Sequence, residues 1–257
     1  MIESSSNPQI KRIQKLMKNA GYRRKEGCFV VEGWKMVEEA FSMKLIEHLY
    51  VAEDQTEHLA DWQGMDQVPM DSVAASLFRQ LSDTVTPQGV LAIVKMPVYQ
   101  REDLVSQNEA SFLCLENIQD PGNLGTMMRT AEGAGMTAVV LSRGCVDLFN
   151  PKVVRSTMGG MFRVPFYFCD DMTTEVEQLK TEKFSIYAAH LQGTKDFTQV
   201  PYQGNVGILI GNEANGLSDA VSDLADYKVK IPMEGKLESL NAAVSAALFM
   251  YEVHRNR

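Results

Sequence analysis

The segment GILIGNEANGLS, residues 207–218, joins an apolar run directly to a polar loop. Near-continuous hydrophobic residues predict a strand of a parallel sheet that is covered on both faces. Gly211 follows at once, and we expect it to let a ligand approach the backbone closely. Glu213 then stands at the carboxyl end of the strand, where such sheets bind their ligands. A tight loop with a solvated Glu213 is the alternative interpretation of the same residues.

A second segment of this kind is ENIQDPGNLGTMMRTAEGAGM, residues 116–136. A strand ends in a turn rich in Pro, Gly and Asn, and we expect a helix to begin near Leu124. Asn123 and Gly125 flank that start, where free backbone N–H groups can bind an anion. Arg129 lies about one and a half turns into the helix, on its polar side. Taken alone, an ordinary strand–helix turn with a surface arginine also explains this segment.

The third segment is IPMEGKLESLNAAVSAALFMYEVHR, residues 231–255. A predicted strand stops at Pro232, and we expect Ser239 to be the N-cap of the helix that follows. Asn241 falls in the first turn. Residues at helical spacing predict one apolar face, made of Leu240, Ala243, Val244, Ala247, Leu248 and Tyr251. A capped packing helix without a catalytic role is the alternative.

Outside these segments, the pattern of the chain predicts two α/β units. Residues 7–16 have an apolar residue at every third position with lysine and arginine between, as in an amphipathic helix. Further strands are predicted at 28–33, 45–52 and 89–96, and helices at 34–43 and 71–83. Beyond a polar stretch at 97–110, strands alternate with helices, which indicates a parallel sheet; they are at 111–118, 138–142, 164–169, 184–191, 206–211 and 227–232.

The composition is that of an ordinary globular chain of 257 residues with a net charge of −8. That charge disfavours a polyanionic partner, but local patches decide whether one can bind. Residues 1–25 carry one acid, Glu3, and seven basic residues: Lys11, Arg12, Lys15, Lys18, Arg23, Arg24 and Lys25. A second basic stretch holds Arg143, Lys152, Arg155 and Arg163 against Asp147 alone. A solvated charged helix surface is the alternative interpretation of these stretches.

Several kinds of site are missing from the sequence. The four cysteines form no CxxC pair and the four histidines have no metal-ligand spacing, so we expect free thiols and no metal. There is no GxGxxG after a strand and no GxxxxGK[ST]. No stretch reaches the roughly 18 apolar residues of a membrane span, and the N-terminus has no signal-peptide core. These features predict a cytoplasmic protein.

Taken in order, the three segments resemble the SpoU (TrmH) family of RNA 2′-O-ribose methyltransferases, within the SPOUT superfamily. The matching residues are Asn123, Gly125 and Arg129, then Gly211, Asn212, Glu213 and Gly216, and finally Ile231, Pro232, Met233, Ser239, Leu240, Asn241 and Ala243. The resemblance spans about residues 111–257. Residues 4–33 are similar to the family's N-terminal substrate-binding domain, which has a ribosomal-protein-like fold. Residues 1–97 are therefore expected to bind RNA, 98–108 to be a linker and 109–257 to be the catalytic domain.

The resemblance implies an α/β fold with a trefoil knot in the C-terminal, mostly parallel sheet. It also implies a homodimer, S-adenosylmethionine as cofactor, and an RNA substrate, for which ribosomal RNA is preferred here. The residues that it implies as cofactor contacts are Leu191, Gly211, Asn212, Gly216, Ile231, Met233 and Leu240. The residues that it implies as catalytic are Arg129 together with Asn123, Glu213, Ser239 and Asn241. RNA contacts are expected at Asn7, Lys11, Arg23, Arg24, Lys25 and Arg155.

Arg129 fits that chemistry as a charge-stabilising group. An arginine titrates above about pH 12, so it is a poor proton acceptor. It can hold the neighbouring phosphate and stabilise negative charge that develops on the 2′-oxygen. Whether it also accepts the proton stays open from the sequence. Three rival functions also stay open: methylation of an RNA base or of tRNA, RNA binding without catalysis, and an unrelated small-molecule α/β enzyme.

Overall fold

The computed structural model describes residues 1–62 and 67–257. The chain forms two compact units. The first comprises Met1–Pro97 and Phe149–Phe162, and the second comprises Val98–Leu148 and Arg163–Arg257. This division differs from the predicted one in that residues 149–162 group with the first unit and the predicted linker with the second. The linker contains a short helix whose Arg101 forms ion pairs with Glu175 and Glu182, both at 2.9 Å.

The first unit is built on a four-stranded sheet in the order β1-β4-β2-β3. β4 is antiparallel to both β1 and β2, whereas β3 is parallel to β2. The strands are β1 (Cys28–Glu32), β2 (Ile46–Ala52), β3 (Met70–Val73) and β4 (Val90–Lys95). The helices are α1 (Pro8–Lys18), α2 (Ala20–Glu26), α3 (Trp34–Ser42), α4 (Ala75–Leu81) and α7 (Pro151–Ser156), with 3₁₀ turns at Glu53–Asp61 and Gly160–Phe162.

Local signals explain α1 and correct the prediction for residues 71–83. Asn7 caps α1, and the apolar residues at every third position are its buried residues, Ile10, Ile13 and Leu16. The prediction of one helix over 71–83 is wrong, because the first residues extend β3 beside β2 and the helix runs over Ala75–Leu81. Pairing with a neighbouring strand outweighed local helix propensity there.

The second unit holds a seven-stranded parallel sheet in the order β7-β6-β5-β10-β8-β11-β9. Its strands are β5 (Ser111–Leu115), β6 (Ala138–Ser142), β7 (Phe166–Cys169), β8 (Ser185–Ala189), β9 (Lys195–Asp196), β10 (Val206–Ile210) and β11 (Tyr227–Lys230). Its helices are α5 (Arg101–Val105), α6 (Pro121–Gly133), α8 (Met172–Thr181), α9 (Asp219–Ser222) and α10 (Ala242–Arg255), with a 3₁₀ turn at Phe197–Gln199. The predicted parallel α/β class is confirmed; the knot stays a prediction.

The strand order brings distant loops to one edge of this sheet. β10 lies between β5 and β8, and β11 follows β8. Because the strands are parallel, the loops after β5, β8, β10 and β11 all leave the sheet at its carboxyl edge. All three segments singled out by sequence therefore begin at that edge, where sheets of this kind bind ligands.

The two helices that carry the motifs begin at other residues than predicted. α6 begins at Pro121 rather than near Leu124, because Asp120 caps it and proline suits the first helical position. α10 is capped by Asn241, so the prediction of Ser239 as N-cap is wrong.

The buried face of α10 also differs from the predicted one. The helix packs against α6 and β10. Its buried apolar residues are Ala243, Ala246, Phe249, Met250 and Val253. Three residues of the predicted face, Val244, Leu248 and Tyr251, are instead 49%, 37% and 51% exposed. α10 therefore has apolar residues on two sides: one side is buried within the second unit, and the other is exposed.

No helix among the described residues is both long enough and apolar enough to span a bilayer.

Candidate active site

One residue from each motif joins a continuous hydrogen-bonded chain at the carboxyl edge of the sheet. Asn241 Nδ2 donates to Asn123 Oδ1 at 2.9 Å. Asn123 Nδ2 in turn donates to Glu213 Oε1 at 3.0 Å. In sequence, Asn123 is 90 positions from Glu213 and 118 positions from Asn241. The tertiary fold thus assembles a polar centre from the three motifs, and we call Asn123, Glu213 and Asn241 the polar triad.

Glu213 is held as a carboxylate by the turn that precedes α6. Its oxygens accept hydrogen bonds from the backbone N–H groups of Gln119 and Asp120 at 3.0 and 3.1 Å. Partial burial by itself would raise the pKa of Glu213. The hydrogen bonds from Asn123 and from the Gln119 and Asp120 backbone outweigh that effect, so the pKa lies below its ordinary value. Glu213 is therefore an ionised acceptor that orients its neighbours and a poor proton donor near neutral pH.

Helix caps fix the other two members of the triad. Asn241 Oδ1 accepts from the backbone N–H groups of Ala243 and Val244 at 2.9 and 3.3 Å. That cap leaves Nδ2 for Asn123. The backbone N–H of Asn123 donates to Asp120 Oδ1 at 2.8 Å, which caps α6. The cap of α10 thus orients the side chain of Asn241, and the cap of α6 fixes the backbone that carries Asn123, as a preorganised site requires.

Residues 211–217 form a tight loop after β10. The backbone N–H of Asn212 donates to Gly216 O at 3.0 Å, and that of Gly216 returns to Asn212 O at 2.8 Å. A Cβ placed on Gly211 would lie 2.1 Å from the carbonyl carbon of Gly216 and from Leu217 N. The sequence predicts that Gly211 admits a ligand, but in the structure the loop's own backbone fills the space beside it. Gly211 is required because the loop folds back on it.

A cleft of about 970 Å³ opens beside this loop. Its walls come from the loops after β8, β10 and β11 and from the start of α10. All seven predicted cofactor residues line it: Leu191, Gly211, Asn212, Gly216, Ile231, Met233 and Leu240. Glu213 and Ser239, both predicted to be catalytic, line it as well. The volume lies within the roughly 300–1,000 Å³ of ligand pockets.

Comparison with known proteins assigns the family. Residues 110–251 match the SpoU rRNA Methylase family, and residues 7–92 match the MRM3-like substrate binding domain. The chain belongs to the SpoU rRNA methylase family. It is 35% identical to the 23S rRNA (guanosine(2553)-2′-O)-methyltransferase RlmP of Bacillus subtilis (strain 168), over 98% of each chain. It is 30% identical to an uncharacterised tRNA/rRNA methyltransferase of Synechocystis, covering 100% of this chain and 94% of the relative.

Solved structures of SpoU methylases have the same fold. The AdoMet-bound rRNA methyltransferase from Sinorhizobium meliloti superposes with a TM-score of 0.88 at 28% identity, covering 99% of this chain and 97% of that one. AviRb from Streptomyces viridochromogenes, a SpoU methyltransferase in complex with the cofactor AdoMet, gives a TM-score of 0.85 at 25% identity over 97% and 98% of the two chains. Both the fold and the family are therefore established for this SpoU methylase.

The structure leaves two predicted catalytic residues outside the triad. Arg129 is exposed on α6, six residues and so about 9 Å along the helix from Asn123. Ser239 is exposed in the loop that leads to α10. Within residues 1–62 and 67–257, neither side chain forms a hydrogen bond or ion pair. Both are available to a ligand, and their catalytic roles stay predictions.

The predicted RNA-contacting residues of the first unit differ in accessibility. Lys11, Arg24 and Lys25 are exposed on α1 and α2. Arg23 is only 2% exposed, and its guanidinium donates to the carbonyls of Leu16 and Met17 at 2.6 and 3.0 Å. The structure does not support an RNA contact by Arg23, because that side chain holds α1 and α2 together from within. Asn7 Oδ1 caps α1 through Gln9 N, and Arg155 on α7 is half-buried.

The second basic stretch is less positive than its sequence indicates. Arg143 pairs with Asp170 at 2.7 Å, and Arg163 pairs with Glu132 at 2.9 Å. These acids lie 27 and 31 positions away, so no local pattern announces them. In the first unit, Arg12 is likewise paired with Glu26 and Glu47. The exposed positive charge of α1 and α2 therefore rests mainly on their lysines and Arg24.

Proposed function

We propose that this SpoU methylase transfers a methyl group from S-adenosylmethionine to a ribose 2′-hydroxyl of ribosomal RNA. The observation that carries the proposal is the cleft beside the polar triad, at the carboxyl edge of the sheet. Relatives point the same way, since the B. subtilis protein is named as a 23S rRNA 2′-O-methyltransferase. A ribosomal RNA substrate would place the protein's work in the cytoplasm.

The cleft suits the proposed cofactor in size and in chemistry. Leu191, Ile231, Met233 and Leu240 supply apolar wall, and the loop after β10 supplies backbone groups. A large apolar pocket with a few fixed polar groups is the usual form of such a site. When bound, S-adenosylmethionine would supply an electrophilic methyl group on its sulfonium. No protein nucleophile is then needed, and the chain has to bind, orient and stabilise charge.

The polar triad and Arg129 would divide that task. The 2′-hydroxyl attacks best when it is positioned and has begun to lose its proton. Glu213 orients the amide of Asn123, and Asn123 in turn accepts from Asn241 Nδ2. Positioning of this kind can supply several kcal/mol. The planar guanidinium of Arg129 can hold a phosphate next to the reacting ribose. Ser239, at the wall of the cleft, can form a hydrogen bond with the cofactor or with the RNA.

We also propose that the protein works as a homodimer through α10. Val244, Leu248 and Tyr251 have i, i+4, i+7 spacing, so they form one exposed apolar stripe on that helix. α6, which carries Arg129, packs against the same helix. Apolar stripes of this kind are typical of interfaces between identical subunits, so a second copy would bring a further protein surface close to the active site.

The dimer can be tested by light scattering on a size-exclusion column. Leu248→Glu combined with Tyr251→Glu should convert the wild-type dimer into a monomer, because two charges would be buried without partners. Val85→Glu, at an apolar residue that is fully exposed in the first unit, is the matched control and should leave the mass unchanged. A monomeric wild-type protein, or a stripe variant that stays dimeric, would contradict the proposal.

The function itself can be tested with ribosomal RNA from cells that lack this gene. The purified protein should transfer label from methyl-labelled S-adenosylmethionine to that RNA. The product nucleoside should carry the methyl group on its 2′-oxygen. Label found on a base would favour base methylation. Cofactor and RNA binding without any transfer would favour a non-catalytic RNA-binding protein. Methylation of tRNA alone would exclude the ribosomal substrate.

A further inference from the structure

A buried carboxylate outside the polar triad holds the loop that lines the cleft. Glu116 follows β5 at the carboxyl edge and is only 8% exposed. One of its oxygens accepts from Ser218 N at 2.8 Å, and the other accepts from Ser218 Oγ at 2.7 Å. We propose that Glu116 is a positioning residue for the cofactor, acting through Ser218. This inference rests on the proposed function.

Glu116 binds the loop at both of its ends. Its backbone N–H donates to Ile210 O at 2.9 Å, which is the last residue of β10 before the loop. Its carboxylate binds Ser218, the first residue after the loop. The segment between these two anchors, residues 211–217, lines the cleft along its whole length. A single residue, the one that follows β5, therefore anchors this tight loop at both of its ends.

The cap of α9 does not depend on the carboxylate of Glu116. Ser218 caps α9 by its own hydroxyl, which accepts from Val221 N at 3.4 Å. In the part of the chain that the structure describes, no lysine or arginine forms an ion pair with Glu116. Burying a carboxylate is unfavourable unless hydrogen bonds compensate, and hydrogen bonds to an ionised acceptor are the strong kind. Both oxygens of Glu116 accept hydrogen bonds from Ser218, so these two strong bonds hold Ser218 in place.

The position of Ser218 is transmitted to the cleft through its two predecessors. Leu217 is 9% exposed and packs in the core of the second unit, yet it also lines the cleft. Gly216 makes the backbone contact with Gly211 that leaves no room for a Cβ. If Ser218 loses its hydrogen bonds to Glu116, the residue that follows Gly216 and Leu217 is no longer anchored. The wall of the cleft should then loosen, and cofactor affinity should fall while RNA affinity is kept.

Calorimetric titration of the 257-residue chain with S-adenosylmethionine tests the inference. Ser218→Ala should raise the Kd for S-adenosylmethionine about tenfold, the scale of losing one hydrogen bond to a charged group. Glu116→Ala should raise it further. Glu116→Gln keeps an acceptor for Ser218 N and should rescue most of the affinity. Ser222→Ala is the matched control, because that buried serine donates to Asp219 O within α9 and does not contact Glu116.

Steady-state kinetics and melting separate positioning from a general structural role. We expect the KM for S-adenosylmethionine to rise in Ser218→Ala, with the KM for RNA unchanged and kcat at saturating cofactor within about threefold of wild type. A lower Tm with unchanged cofactor affinity in both Ser218→Ala and Glu116→Ala would overturn the inference and leave the proposed function intact. A wild-type protein that does not bind S-adenosylmethionine would overturn both.

Discussion

Replacing Gly211 by alanine tests why a glycine stands at the start of the cleft loop. The added Cβ would lie 2.1 Å from two backbone atoms of Gly216 and Leu217. Ordinary contact distances begin at 3.4 Å, so the backbone would have to move by about 1.3 Å. Overpacking of this kind typically costs about 1–3 kcal/mol. We expect the upper end, because no flexible side chain is available to move aside.

The assay is thermal unfolding of Gly211→Ala without cofactor. A loss of about 3 kcal/mol corresponds to a fall in Tm of roughly 6–12 °C for a domain of this size. Gly235→Ala is the control for stability, since a Cβ there would meet nothing within 4 Å. A Gly211→Ala protein that melts with the wild type would refute the argument. If that stable protein also failed to bind S-adenosylmethionine, the cofactor itself would occupy the space beside Gly211.

Three further predictions concern the chemistry and the RNA surface. Arg129→Ala should slow single-turnover methyl transfer by roughly 10²-fold or more at saturating cofactor and RNA. Arg129→Lys should rescue little if the planar guanidinium holds a phosphate, whereas a near-wild-type rate for the alanine variant would exclude a catalytic role. The lowered pKa of Glu213 means that its stabilising contribution is present above the ordinary value of 4.5 and is lost as the pH falls through the lower folded-state value. Urea unfolding of Glu213→Gln should therefore lose less stability between pH 5 and pH 3 (about the range of carboxylate titration) than wild type, and equal losses would contradict this. Arg24→Glu with Lys25→Glu should weaken RNA binding and reduce its salt dependence, because fewer counterions are released, and an unchanged salt slope would remove this surface from the RNA site.

Much of the fold could be predicted from local patterns. Apolar runs marked the strands of the second unit closely, and residues 138–142 match β6 at both ends. Parallel strands release their loops at one edge, so motifs that follow different strands could be expected to meet there. The cofactor-binding candidates line one cleft for that reason. The helix over residues 71–83 failed as a prediction, because pairing with β2 is not visible in the local sequence.

The sequence by itself determined the family, the parallel sheet and the residues that reach its carboxyl edge. These depend on hydrophobic period and on the order of short motifs, which neighbouring residues encode. Only the tertiary structure decided which polar groups are engaged. Arg23 is buried and donates hydrogen bonds to carbonyls of the neighbouring helix. Gly211 is required because the backbone of Gly216, five residues away, packs against it. Glu116 accepts hydrogen bonds from a serine 102 positions away. Burial and hydrogen bonding depend on contacts in space, and in this chain those contacts join residues that no local pattern connects.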